Sequence, residues 1–114
     1  MSFFDSEVVR AEMAEVSRLQ EEVYGNIFKF PHMNKEEKIQ HVEILEKLLE
    51  KQKVLYTRMS LSDDPEAKEM KKKMLDAATA MGLPPNVDMN VIFSNMSEML
   101  VIMKKQIDKT DSDL

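Results

Sequence analysis

The 114-residue chain predicts an all-α protein of four helices arranged as two antiparallel helical hairpins, the first long and the second shorter and Met-rich. Three observations carry this. Only two glycines and four prolines punctuate the sequence, too few for a turn-rich sandwich or barrel, while the helix formers Glu, Lys, Leu and Met abound. Apolar residues recur at spacings of three and four along most of the chain, which is the period of a half-buried helix. A side chain able to cap stands just ahead of each periodic stretch. A chain this short predicts a single domain over 1–114, with hairpins at 5–61 and 64–108 and an acidic tail at 109–114.

The first helix is expected to start at Asp5 as N-cap, with Phe4 and Val9 placed to close a hydrophobic staple. Val9, Met13, Val16, Leu19 or Gln20, Val23 and Ile27 then form its inner stripe, and Glu12, Glu15, Arg18, Glu21 and Glu22 fall mostly on the other side. Pro31 in "FPHMN" ends it, because proline cannot continue a helix and pushes Phe30 towards extended geometry. The pair Phe28 and Phe30 is expected to plug the end of this hairpin.

Asn34 and Glu37 have the spacing of a capping box, which opens the second helix. Its stripe runs through Ile39, Val42, Leu45, Leu49, Gln52, Tyr56 and Met59, widened by Leu48 and Leu55. Asp64 followed by Pro65 is a strong restart, since aspartate caps and proline suits the first helical position. The third helix is expected to run to Gly82, on a thin apolar face of Ala67, Met70, Met74, Ala77, Ala78 and Met81. Asp88 can cap the fourth, whose stripe is Met89, Ile92, Phe93, Met96, Leu100, Met103 and Ile107, with Met99 at its edge.

Composition and charge exclude several functions. A net charge of −5, with both halves acidic, offers no footprint for nucleic acid. "FKF" at 28–30 and "KKK" at 71–73 are weak signals against that background, the lysines being countered by Glu66, Glu69 and Asp76. There is no cysteine, hence no disulfide and no thiolate chemistry, and "MSFFDSEVVR" lacks the basic and apolar regions of a secretory signal. "MNVIFSNMSEMLVIM" at 89–103 is too often interrupted by polar residues, and too short, to span a bilayer. A cytoplasmic protein is expected.

Chemistry is equally sparse. The Glu-x-x-His motif of di-metal carboxylate bundles is absent. His41 with Glu37 one turn earlier is the nearest approach to a metal pair and is expected to be a surface pair; His32 has no second ligand near it in sequence. No glycine-rich loop cradles a phosphate, and the periodicity puts no carboxylate in an interior position where burial would raise its pKa. No catalytic residue, cofactor or metal is expected, and the chain reads as a non-enzyme.

Methionine remains. Seven of the eleven lie between residues 70 and 103, giving the second hairpin a soft apolar surface that either fills gaps in its core or accepts partners. Gap-filling is the commoner use. Val91, Val101 and Ile102, however, lie off the main stripe, so the fourth helix is apolar over more than half its circumference and must be central in the chain or covered by another. The candidate partner or oligomer interface is therefore Val91, Met96, Met99, Val101, Ile102 and Met103.

The N-terminal "MSFFDSE", the segment "EKIQHVEILEKLLEKQKVLYTRMSLSDDPEAKEM" and the short connection between them resemble a family of small uncharacterised helical proteins of cyanobacteria and their tailed phages. The resemblance covers roughly residues 1–80. It implies a native or phage-infected cyanobacterial cytoplasm, and it carries over no activity and no site residue.

The sequence thus predicts a small non-enzymatic interaction module that binds a protein partner through an apolar helix face. A homodimer is expected, because the long first hairpin exposes more stripe than the third helix covers. A virion or assembly component and a helical metalloprotein using His41 and Glu37 are the alternatives. Neither membrane nor nucleic-acid binding is expected.

Overall fold

The computed structural model describes residues 2–85 and 88–110, and all regular structure among them is helical. The helices are α1 (Glu7–Asn26), α2 (Lys35–Leu61), α3 (Pro65–Ala80) and α4 (Met89–Thr110), with short 3-10 turns at Phe3–Asp5 and Phe30–His32. The all-α, four-helix class matches the expectation. α2 is its spine, because α1, α3 and α4 all make their main contacts with it.

Local chemistry sets the helix ends. Asn34 and Glu37 form the capping box of α2: the Asn34 carboxamide accepts from the Glu37 amide at 2.8 Å, and the Glu37 carboxylate accepts from the Asn34 amide at 3.4 Å. Asp64 accepts from the Glu66 amide at 2.9 Å with Pro65 in the first position, and Asp88 accepts from the Asn90 amide at 2.9 Å. α3 stops at Ala80 instead of Gly82. The Gly82 amide donates to the Thr79 carbonyl and the Leu83 amide to the Ala78 carbonyl, a Schellman closure that needs the φ of +103° at Gly82.

The start of α1 differs from the expected one. Asp5 ends a 3-10 turn that Ser2 caps, and Ser6 is the N-cap of α1, its hydroxyl accepting from the Val9 amide at 3.5 Å. Phe4 therefore stands two residues before the cap and outside staple register; it lies edge-on to Phe3 with ring centroids 5.1 Å apart. At the other end of the chain α4 continues to Thr110, so an acidic tail begins no earlier than 111, and residues 111–114 lie outside the described residues.

Ion pairs fix the directions. Glu12 with Arg58 at 2.9 Å and Glu15 with Lys47 at 3.6 Å make α1 antiparallel to α2. Tyr56 against Phe93, Glu46 with Lys104 at 2.8 Å and Lys35 with Asp108 at 3.0 Å do the same for α4. Two core clusters result, one of Leu19, Val23 and Leu48 between α1 and α2, the other of Leu49, Tyr56, Met59, Ala67 and Phe93 where α2, α3 and α4 meet. The molecule measures 56 × 31 × 20 Å, and its radius of gyration of 16.6 Å exceeds the ~13 Å of a compact chain of this length.

The 3-10 turn at Phe3–Asp5 docks on the start of α3. The Phe3 amide donates to Asp64 Oδ2, the Ser2 hydroxyl donates to Glu66 Oε2 at 2.6 Å, and the Phe3 ring packs on the second core cluster.

Candidate functional site

α1 and α4 flank α2, and the strip of α2 between them stays partly open. Leu45, Leu48, Leu49 and Gln52 of α2 form the floor of a groove whose wall is Met96, Met99, Leu100 and Met103 of α4, enclosing a volume of about 200 Å³. This lining is almost wholly apolar. On the other flank of α4 a hollow of about 270 Å³ is lined largely by Glu46, Glu50, Lys53, Ser94, Ser97 and Glu98. The seam between α2 and α4 thus has one apolar and one polar side.

All six residues of the expected interface are exposed, led by Met99 at 63% and by Val91 and Ile102 at 53% each. The structure divides them. Met96, Met99 and Met103 wall the groove, Val101 and Ile102 lie with Ser97 and Glu98 on a shallow outer depression, and Val91 stands apart from both. The periodicity puts Met96 and Met103 on the inner stripe, but α4 packs mainly on α2, and one helix hides only a narrow strip, here centred on Phe93. Gap-filling, the commoner use of methionine, applies to the buried Met59 and to the half-buried Met74 and Met89. It does not apply to Met81, Met96, Met99 or Met103, which face solvent.

His41 is not half of a surface pair. It is 6% exposed, its ring centroid lies 5.3 Å from that of Phe30, and its Nδ1 is buried with no hydrogen-bond partner. Burial lowers its pKa below the usual imidazole value. Glu37 is occupied by the capping box, and no group of three or more potential metal-ligating side chains occurs among the described residues. His32 is exposed.

Of the two phenylalanines expected to plug the hairpin, Phe30 does so and Phe28 is fully out in solvent. Lys38 lies over the Phe30 ring at 5.6 Å and Lys71 over the Tyr56 ring at 5.7 Å, and Lys73 pairs with Glu69 at 3.7 Å. These lysines serve the fold.

The remaining displaced pKa values follow from ion pairs and caps. Arg18, which hydrogen-bonds Glu15 at 2.8 Å, lowers that carboxyl to about 2 and is itself raised, Lys104 is raised by Glu46, and Asp64 is lowered by the Phe3 and Glu66 amides. None of these carboxyls is raised, which is the sign a general acid requires. One carboxylate does reach the interior, against expectation: Glu12 turns into the seam of α1 and α2, where Arg58 meets one oxygen and the other is buried without a partner.

The sequence places Met96, Met99 and Met103 of the wall in the expected interface but shows neither the floor of the groove nor the docked N-terminus. A signal for the second was present, since Ser2 and Asp5 have capping-box spacing and Phe3 is apolar beside them. The joining of floor to wall had no local signal, because the two come from segments about fifty residues apart.

The fold and its surface define a thin, spine-centred helical protein with an open apolar groove. The chain belongs to the family described as Domain of unknown function (DUF1825), whose model matches residues 1–107 and therefore includes most of α4. No curated protein and no solved structure matches the chain significantly. No described helix is long and apolar enough to cross a membrane.

Proposed function

We propose that this protein is a non-enzymatic interaction module that works by seating an apolar helix of a protein partner in the groove between α2 and α4. One observation carries the reading. Met96, Met99 and Met103 are held in the open by an ordered helix, above a floor of leucines, and such flexible, polarizable side chains accept apolar helices with anchors spaced at i, i+3 or i+4 and i+7. The resemblance noted in the sequence supports a setting in the cytoplasm of a cyanobacterium or of one infected by a phage.

The test is affinity capture by the immobilised protein, both from a cyanobacterial lysate and from a solution of differently tagged copies of the same chain, set beside Met96→Glu and, as a surface control, Lys72→Glu. A partner retained by wild type and by Lys72→Glu but released by Met96→Glu is the expected result. Equal retention by all three would remove the groove from the function.

A further inference from the structure

The apolar surface of α4 extends beyond the groove in a regular pattern. Ile92, Met96, Met99 and Met103 follow one another at steps of four, three and four, the spacing of a coiled-coil seam. This seam is rotated about the helix from the one containing Phe93 and Leu100, which faces α2. α4 thus presents a second apolar seam that the described residues leave exposed at Met96, Met99 and Met103.

The area agrees. The chain exposes 8188 Å², whereas a compact monomer of 13.2 kDa exposes ~6,400 Å². The surplus is roughly 1,800 Å², more than the ~800 Å² that each partner gives up in a standard interface.

Resting on the reading of the groove as a protein-binding surface, we infer that its occupant is a second copy of this chain, paired α4 to α4 in antiparallel fashion about a two-fold axis near Met99. Charge selects this orientation. Asp88 caps the N-terminus of α4, while Lys105 and Lys109 lie in its C-terminal part, where Lys104 is paired with Glu46 and Asp108 with Lys35. A parallel pair would set the lysines against their own counterparts, whereas the antiparallel pair brings Lys109 of one copy to Asp88 of the other and opposes the helix dipoles. It also brings Ile102 of each copy, exposed beside the seam, to Met96 of the other.

Sedimentation velocity on wild type, Met99→Glu and Ile102→Glu tests this, with circular dichroism to report folding. Wild type should have twice the 13.2 kDa chain mass, and Met99→Glu, at a solvent-facing position of the single chain, should be a folded monomer with its dimer Kd raised at least ~100-fold. As the chain has no cysteine, Met99→Cys should form an interchain disulfide on oxidation, and Lys72→Cys should not. A monomeric wild type at about 100 µM, or a Met99→Glu dimer as tight as wild type, overturns the inference. A monomeric wild type whose groove variant still releases a captured partner overturns self-pairing alone and leaves the interaction module standing.

Discussion

The ring of Tyr56 meets the ring of Phe93 edge-on, with centroids 5.8 Å apart, and this contact joins α2 to α4 in the cluster that also takes in Ala67 of α3. Few side chains are buried in this thin molecule, so each buried aromatic carries a large share of its stability. Phe93→Ala removes the ring and leaves a cavity between three helices that cannot all collapse onto it. The expected loss is about 3 kcal/mol in urea unfolding, whereas Met81→Ala, at a position 86% exposed, should stay within about 0.5 kcal/mol.

His41 gives the stability a dependence on pH. Its folded pKa is lowered by burial, so the unfolded chain takes up a proton first as pH falls. The contribution of the neutral ring is present above the ordinary value of 6.5 and is lost as pH falls from there towards the folded value. His41→Leu removes both this slope and the buried Nδ1 that has no partner, and should stabilise the protein by about 1 kcal/mol at pH 5.5. Denaturation midpoints at pH 7.5 and 5.5 measure it: wild type should weaken between the two, and the variant should not.

The docked N-terminus responds to stronger acid. Asp64 has its carboxyl held below the usual range by the Phe3 and Glu66 amides, so what it adds to stability is present above its ordinary 3.8 and is lost as pH falls through the lowered folded value. Asp64→Asn should melt at a lower temperature than wild type at pH 7, and the gap should narrow as pH falls below 3.8. Amide exchange should rise at Phe3 in the variant, because that amide loses its carboxylate acceptor.

Much of this architecture was legible because it is written locally. Asn34 with Glu37, Asp64 with Pro65, and Gly82 before Pro84 act over one turn, and the helices begin and end within a residue or two of where those groups put them. Covering was not legible, because it is decided at long range. Met59 and Met99 both lie on helices with apolar stripes, yet one is buried and the other is in solvent, for α3 arrives at the first and no described helix covers the second. His41 lies one residue from Val42 on the stripe, and Phe30 folds over it only because the chain turns at Pro31. The periodicity of α4 showed an apolar surplus; which part of it α2 would hide depended on a packing angle that no spacing records.

The seam of α1 and α2 offers a last measurement. Glu12 accepts from Arg58 Nε at 2.9 Å through one carboxylate oxygen while the other is buried and unmatched, so the pair joins a mostly buried acid to an arginine about half in water. Arg58→Ala leaves the Glu12 charge in the seam with its main compensation gone, whereas Glu12→Gln keeps the shape of the side chain and removes the charge. The first change should therefore cost more than the second. Screening around the exposed guanidinium keeps the coupling small, about 1 kcal/mol in a double-mutant cycle. If Arg58→Ala and Glu12→Gln simply add, the pair holds no seam together, and the antiparallel hairpin rests chiefly on the apolar cluster of Leu19, Val23 and Leu48.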